Sequence, residues 1–208
     1  MGSAKLLGIN LTRNFDRPYL AASFKDFWRR WHISLSSWFR DYVYFPLGGK
    51  RVSEVGANIN LVIVFLLSGL WHGANWTFVI WGSLHALFLF AERVVPRWPK
   101  ILTFPLTSLA WVFFRADSAG YGAAMITRLF MPSAWGIEAL VAQFRNPAVQ
   151  FNAIIIGGLI VFEHLHLSWQ SLFFRAPGYL RWSLYYVGLA LIATYGRFEG
   201  RQFVYFQF

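Results

Sequence analysis

The chain of 208 residues contains no cysteine, and this absence removes several kinds of chemistry. Without a thiol it forms no disulfide, offers no thiolate metal ligand and has no cysteine nucleophile or acyl-thioester carrier. Charged residues are also scarce, at 13% of the chain, against roughly 25% in a typical soluble domain. Residues 1–17 lack a long apolar stretch followed by a small-residue cleavage site, which predicts no signal peptide.

What the chain has in abundance is apolar and aromatic surface. Hydrophobic residues make up 57% of it, including eleven tryptophans, and the mean hydropathy is +0.43. Its formal net charge of +10 is compatible with nucleic acid, but the basic residues flank apolar runs instead of forming a patch. Basic flanks and interfacial aromatic rings are typical of proteins in a membrane with anionic lipid. We therefore predict a multi-pass protein of the bacterial inner (plasma) membrane that contacts lipid and no nucleic acid.

Five apolar segments predict an all-α, polytopic membrane helical bundle, with a single membrane domain over 1–208. They cover approximately 57–73, 76–94, 101–114, 147–167 and 180–195. The third segment is short and contains Pro105, so a tilted, broken or re-entrant segment remains open. The polar stretch 117–146 predicts one or two interfacial helices. Flanking basic residues favour an outward-facing turn near Asn75, between the first two segments.

The stretch 23–45 has a different pattern. Apolar residues recur there every three or four positions, which predicts one helix with an aromatic face. Ser23, with Asp26 three residues later, is typical of a helix start. Basic residues accompany this face, so we predict an interfacial or re-entrant helix. The aromatic face comprises Trp28, Trp31, Leu35, Trp38 and Tyr42.

His72 is the first candidate for chemistry. An ionisable ring at membrane depth is costly to place and is functional by default, and histidine exchanges protons near neutral pH. Helical spacing places Ser68 and Asn75 on the same face, where they can fix the ring tautomer or bind an oxyanion. Gly69 and Gly73 form a small-xxx-small face that allows another helix to approach closely. The alternative is an interfacial histidine that caps a helix end.

The other histidines are less informative by themselves. The residues alone favour a solvated surface position for His32. His85 is either a packing histidine or a partner of the predicted base. His164 and His166 point about 200° apart on a helix, so we predict no metal site there. Three arginines near apolar segments bind an anionic substrate group or, as is more usual, extend to lipid headgroups: Arg40, Arg115 and Arg175.

Several motifs, in order and nearly end to end, resemble the membrane-bound O-acyltransferase (MBOAT) family. They are NFDRPY at 14–19, FWRRWHISLS at 27–36, WFRDY at 38–42, PLGG at 46–49, GLWHGANW at 69–76, FFRA at 113–116 and FVYFQF at 203–208. The resemblance covers the C-terminal part of longer family members, which implies a partial MBOAT fold. The chain is therefore expected to be the tail of a longer protein or one half of a split one.

The resemblance implies transfer of an acyl group, by default acetyl from acetyl-CoA or another acyl-CoA, from the cytoplasm to hydroxyls of an exported polysaccharide such as alginate. It makes His72 the general base and His32 a second catalytic residue. We assign Trp71, Asn75 and Arg40 to substrate binding. Periplasmic acetyl-transfer proteins are the implied partners, and neither a bound cofactor nor a metal is implied.

Two other functions stay open. In a transporter or channel fragment, His72 and His85 would relay protons, but the sequence shows neither paired broken helices nor internal symmetry. In a non-catalytic assembly subunit or an inactive fragment, the motifs would be present without turnover.

Overall fold

The computed structural model describes residues 2–95, 97–131, 136–164 and 169–195. The described residues are 77% helical and contain no strand, which confirms the predicted all-α class. Contacts divide it into two compact units, Met1–Ala134 and Trp135–Phe208. The single membrane domain predicted over 1–208 stays a prediction.

The helices follow the predicted segments closely. In the first unit they are α1 (Gly2–Leu6), α2 (Phe24–Arg30), α3 (Ile33–Phe39), α4 (Glu54–His72), α5 (Trp76–Val94), α6 (Thr103–Arg115) and α7 (Ala119–Leu129). In the second unit they are α8 (Ile137–Arg145), α9 (Pro147–His164), α10 (Trp169–Arg175) and α11 (Gly178–Tyr195). The polar stretch 117–146 therefore contains two helices, α7 and α8.

Helices α4 and α5 carry the membrane character of the first unit. Each has 19 residues and is long and apolar enough to cross a membrane, and they are the two that meet this criterion among the described residues. In α9 the apolar stretch is shorter, Pro147–Val161. Helix α6 has 13 residues, about 20 Å at 1.5 Å per residue, which is short of a hydrocarbon core of about 30 Å. Length and composition thus support two of the five predicted spans.

Helix α6 is continuous, so it is not the broken segment that Pro105 allowed as one alternative in the sequence analysis. Pro105 is the third residue of the helix. A proline in the first turn removes an N–H group that has no partner within the helix, so it does not interrupt the hydrogen-bond ladder.

The turn between α4 and α5 lies at the position that the sequence predicts. Gly73, at φ 155°, ends α4, and Asn75 begins α5 as its N-cap. The side-chain oxygen Oδ1 of Asn75 accepts a hydrogen bond from the backbone N–H of Thr77 at 3.1 Å. This cap satisfies one of the N–H groups that a helix start leaves without a partner, so it fixes where α5 begins.

Glycines set the distance between α4 and α5. A Cβ atom at Gly69 would overlap the carbonyl oxygen of Phe78 in α5. A Cβ atom at Gly82 would overlap the carbonyl oxygen of Phe65 in α4. The close approach predicted at Gly69 is therefore confirmed, and Gly82 supplies the matching position on the other helix.

The single helix predicted over 23–45 is wrong, because the chain leaves the helical conformation at Trp31 and His32. Trp31 is extended, with φ −97° and ψ 127°, and His32 is left-handed, with φ 42° and ψ 56°. After α3 a wide π-type turn, Arg40–Tyr44, continues the chain. The predicted aromatic face is consequently split, and Tyr42 is 68% exposed.

The start of α2 is as predicted. The hydroxyl of Ser23 accepts a hydrogen bond from the Asp26 N–H at 3.1 Å. From α5, the carboxylate of Glu92 also accepts hydrogen bonds from the N–H groups of Phe24 and Lys25. Helix α2 is thereby anchored to a candidate membrane helix, while its predicted position in the membrane interface stays a prediction.

The second unit is held by aromatic contacts between its helices. Phe151 of α9 stacks on Tyr195 of α11 with ring centroids 4.9 Å apart. Phe173 of α10 meets Tyr185 of α11 edge to face at 5.4 Å. His166 and the motif at 203–208 lie outside the described residues, and the side chain of His164 is likewise not described.

Candidate active site

His72 is the last residue of α4, and only 8% of its surface is exposed. Its position matches the helix-end alternative, but its burial does not fit an exposed cap. Aromatic side chains from three helices surround the ring. Their centroids lie at 4.8 Å for Trp71, 4.9 Å for Phe114, 5.4 Å for Trp81 and 6.2 Å for Phe78. These four side chains keep bulk water away from the imidazole.

Trp71 connects the two predicted catalytic histidines. Its indole contacts His72 at 4.8 Å and His32 at 6.4 Å between ring centroids. On its other side, His32 stacks on Phe15 at 5.9 Å with an interplanar angle of 21°. The fold thus brings two residues 40 positions apart into contact with one half-exposed indole.

The left-handed backbone at His32 determines where its ring can lie. Such a conformation is unfavourable for a side chain with a Cβ atom, and strain of this kind clusters at functional sites. Backbone bonds from the preceding segment hold it: the Asn14 carbonyl accepts from Ile33 N–H at 2.9 Å, and the Asp16 N–H donates to the Arg30 carbonyl at 2.9 Å. The amide oxygen of Asn14 also caps α3 through the Ser34 N–H.

Burial also affects the protonation of His32. It lowers the pKa of His32 below the usual value for histidine, because removal from water disfavours the charged form. The ring is therefore neutral at pH 7 and retains one nitrogen that can accept a proton or a hydrogen bond.

Asn75 and Arg40 are placed differently from expectation. Asn75 does not share a helical face with His72, since α4 ends between them and the Asn75 side chain caps α5. The guanidinium of Arg40 is exposed and bonds to its neighbour Asp41, with Nε 2.8 Å from Oδ1. Roles in substrate binding for both residues, and for Trp71, stay predictions.

Some of the aromatic residues that enclose His72 were not predicted from the sequence. Phe78 and Trp81 come from α5, and Phe114 comes from α6. Of these three residues only Phe114 had a signal in the sequence, the FFRA motif. No spacing rule indicates that the end of α6 returns to the end of α4, because that contact is tertiary.

Substitutions at His32 are expected to separate backbone strain from ring chemistry. His32→Ala and His32→Gly both remove the imidazole, but only alanine retains the left-handed penalty of about 1–2 kcal/mol. We expect the glycine variant to unfold at the higher temperature of the two, while both lose the acyl transfer that the family resemblance implies to the same extent. Thermal unfolding and turnover in the same preparation measure the two effects. Equal unfolding temperatures would contradict the strained backbone, and wild-type turnover in either variant would contradict a role for the ring.

Comparison with known proteins agrees with the family resemblance of the motif GLWHGANW, which contains His72. The family model described as MBOAT, membrane-bound O-acyltransferase family, matches residues 1–119. The chain is 41% identical over 170 residues to the "Probable alginate O-acetylase AlgI" of Pseudomonas aeruginosa, covering 77% of this chain and 32% of the relative. It is 48% identical over 130 residues to the peptidoglycan O-acetyltransferase of Helicobacter pylori, covering 57% of this chain and 25% of the relative.

A third relative has a different named activity. The teichoic acid D-alanyltransferase of Bacillus subtilis is 36% identical over 107 residues, covering 48% of this chain and 27% of the relative. The chain thus spans between 25% and 32% of the length of these three curated relatives.

Proposed function

Because the chain belongs to the membrane-bound O-acyltransferase family, we propose that it transfers an acyl group to hydroxyls of an exported polysaccharide. The observation that carries this proposal is the enclosed imidazole of His72, which shares the indole of Trp71 with His32. A buried base beside a second neutral histidine suits activation of an alcohol.

In the proposed reaction His72 is the general base. Its neutral imidazole takes the proton of the acceptor hydroxyl while the oxygen bonds to the carbonyl carbon of a thioester donor. The resulting tetrahedral intermediate collapses, the C–S bond breaks, and the departing sulfur takes the proton from the imidazolium. General base catalysis of this kind typically contributes about 10²–10⁴-fold.

The surroundings of His72 support transfer over hydrolysis. Rings from α4, α5 and α6 cover the imidazole, so a water molecule competes poorly with a bound alcohol. His32, whose ring contacts the same Trp71 indole, is proposed to hydrogen-bond the donor or the acceptor. We assign it an accessory role because His32 is not one of the aromatic residues that enclose His72.

The named relatives guide the proposed substrates. Among the three relatives compared, the alginate relative covers the largest share of this chain, 77%, so we propose acetyl transfer to an alginate-like polymer. The donor is proposed to be cytoplasmic acetyl-CoA or another acyl-CoA. We place the protein in the bacterial inner membrane as a multi-pass protein, with periplasmic acetyl-transfer proteins as partners. Trp71, Asn75 and Arg40 are the candidate substrate contacts.

A second candidate function is a non-catalytic subunit of a membrane assembly. Membership of the family is compatible with it, since a match to a family model does not record turnover. In that case the histidine site would be present, but the polymer would be acylated by another polypeptide.

Deleting the gene in its host tests the proposed activity directly. We expect acetyl groups on the exported polymer to disappear on deletion and to return when the gene is supplied on a plasmid. Mass spectrometry of the polymer measures this and separates acetyl from D-alanyl groups. Unchanged acylation after deletion would refute the proposal, whereas full restoration by a His72→Ala gene would favour the non-catalytic subunit.

A further inference from the structure

His85 occupies the centre of the first unit. It is the tenth residue of the 19-residue helix α5, and none of its surface is exposed. Its ring is packed against aromatic side chains of α2, α4, α5 and α6. The centroids lie at 4.9 Å for Trp28, 5.0 Å for Trp81, 6.0 Å for Phe88, 6.1 Å for Phe27 and 6.2 Å for both Phe65 and Trp111.

The polar atoms in this cluster are buried and unbonded. Neither ring nitrogen of His85 has a hydrogen-bond partner among the described residues, and the same holds for the indole N–H groups of Trp28, Trp81 and Trp111 and for the hydroxyl of Thr107. An indole only donates, whereas a neutral imidazole also offers one acceptor nitrogen. His85 is therefore the one ring among these four that can accept a hydrogen bond.

A phenylalanine would fill such an aromatic surrounding without the desolvation cost of two ring nitrogens. Leaving buried polar atoms without partners destabilises the fold, and replacing them with an apolar group of the same shape is neutral or stabilising. The polarity of His85 is thus not explained by packing, and a histidine in the middle of a membrane helix is functional by default.

Trp81 connects His85 to the predicted base. Its indole, 1% exposed, meets His72 at 5.4 Å and 88° and meets His85 at 5.0 Å and 70°. Trp81 also contacts Trp111 at 5.6 Å, and Trp111 contacts Trp31, the neighbour of His32, at 4.8 Å. The aromatic cluster that contains His85 therefore contacts His72 and extends to Trp31, the residue before His32.

We propose that His85 is a positioning residue, which accepts a hydrogen bond from the indole N–H of Trp81 when substrate binds and so holds that indole against His72. The proposal rests on the proposed acyl transfer. Hydrogen bonds in catalytic sites are often unformed without substrate and tighten only in the complex, which is consistent with the unbonded atoms observed here.

The test compares His85→Phe with His85→Gln in the full chain in membranes. We expect His85→Phe to unfold at the same or a higher temperature, with KM unchanged and kcat lowered about 10- to 100-fold, as for a misplaced catalytic group. His85→Gln retains an acceptor and is expected to recover part of this loss. Phe90→Leu, on the exposed side of the same helix, is the matched control and is expected to behave as wild type.

A double-mutant cycle tests the link to Trp81. If His85 acts through that indole, the double variant Trp81→Phe, His85→Phe is expected to be no slower than the slower single variant. If the loss in kcat of the double variant equals the product of the two single-variant losses, the proposal is overturned. It would also be overturned by wild-type turnover in His85→Phe, by loss of its folded protein, or by equal losses in His85→Phe and His85→Gln.

A second readout does not depend on turnover. Diethylpyrocarbonate modifies accessible histidines, and tandem mass spectrometry of the peptides gives its rate at His72. With acetyl-CoA bound, we expect this rate to be several-fold higher in His85→Phe than in the wild type and unchanged in Phe90→Leu. If the wild-type chain transfers no acyl group, the proposed function fails while this rate still tests the positioning role. An unchanged rate at His72 in His85→Phe would count against that role.

Discussion

Replacing His72 with alanine is expected to lower acyl transfer by about 10²–10⁴-fold, the contribution typical of a positioned general base. Without the imidazole, none of the aromatic side chains around this position can take the proton of the acceptor hydroxyl. The loss should appear in kcat, because the base acts on the reacting atoms and not on uniform substrate binding. Acetyl groups on the exported polymer, measured by mass spectrometry, report the loss in cells, and initial rates in membranes report it in vitro.

His72→Phe is the control for folding in this experiment. Alanine leaves a cavity among Trp81, Phe114 and the other rings, whereas phenylalanine fills a similar space and cannot accept a proton. We expect His72→Phe to insert and unfold like wild type and to be as inactive as His72→Ala. Trp76→Phe, at a side chain that is 74% exposed at the start of α5, should retain full activity. Wild-type acetate content with either His72 variant would end the assignment of a base.

The α4–α5 hairpin was predictable because its signals are local. A long apolar run ends at a glycine, an asparagine follows two residues later, and a second apolar run begins. Each of these acts within one turn of its own position: Gly73 ends α4, and Asn75 caps α5. The start of α2 at Ser23 follows the same logic.

The break at His32 was not predictable, because the helical spacing of aromatic residues continues across it. Only tertiary information shows that the helix stops there. The strained residue is held by Asn14 and Asp16, which bond across the break from a segment well before it in the chain. A positive φ is uncommon for any residue other than glycine, even for histidine, which is enriched there, so the residue type alone does not mark the position.

The contents of the candidate site were only partly predictable for a related reason. The motifs indicated His72 and His32, but the predicted face shared by His72 and Asn75 assumed that the helix continued. The contacts through Trp71, Trp81 and Phe114 depend on how α4, α5, α6 and the α2–α3 junction pack. Sequence spacing describes one helix at a time, whereas these contacts join three helices and that junction.

Replacing Gly82 with alanine is expected to destabilise the fold of the first unit strongly. The new Cβ atom would overlap the carbonyl oxygen of Phe65, which belongs to the backbone of α4 and has no rotamer to relieve the clash. Overpacking typically costs about 1–3 kcal/mol, and a backbone clash should lie at or above the upper end. Thermal unfolding in lipid nanodiscs is the measurement, with the amount of membrane-inserted protein as a second readout.

Gly188→Ala in α11 is the matched control for this change, because nothing lies within 4 Å of the added Cβ atom. There the substitution should be neutral or stabilise the chain by about 0.5–1 kcal/mol, since alanine is more favourable than glycine in the interior of a helix. Gly82 also follows Trp81, so separating α5 from α4 would move the indole that contacts His72. Turnover should therefore fall together with stability in Gly82→Ala. A Gly82→Ala protein as stable and active as wild type would show that α4 and α5 do not meet at this glycine.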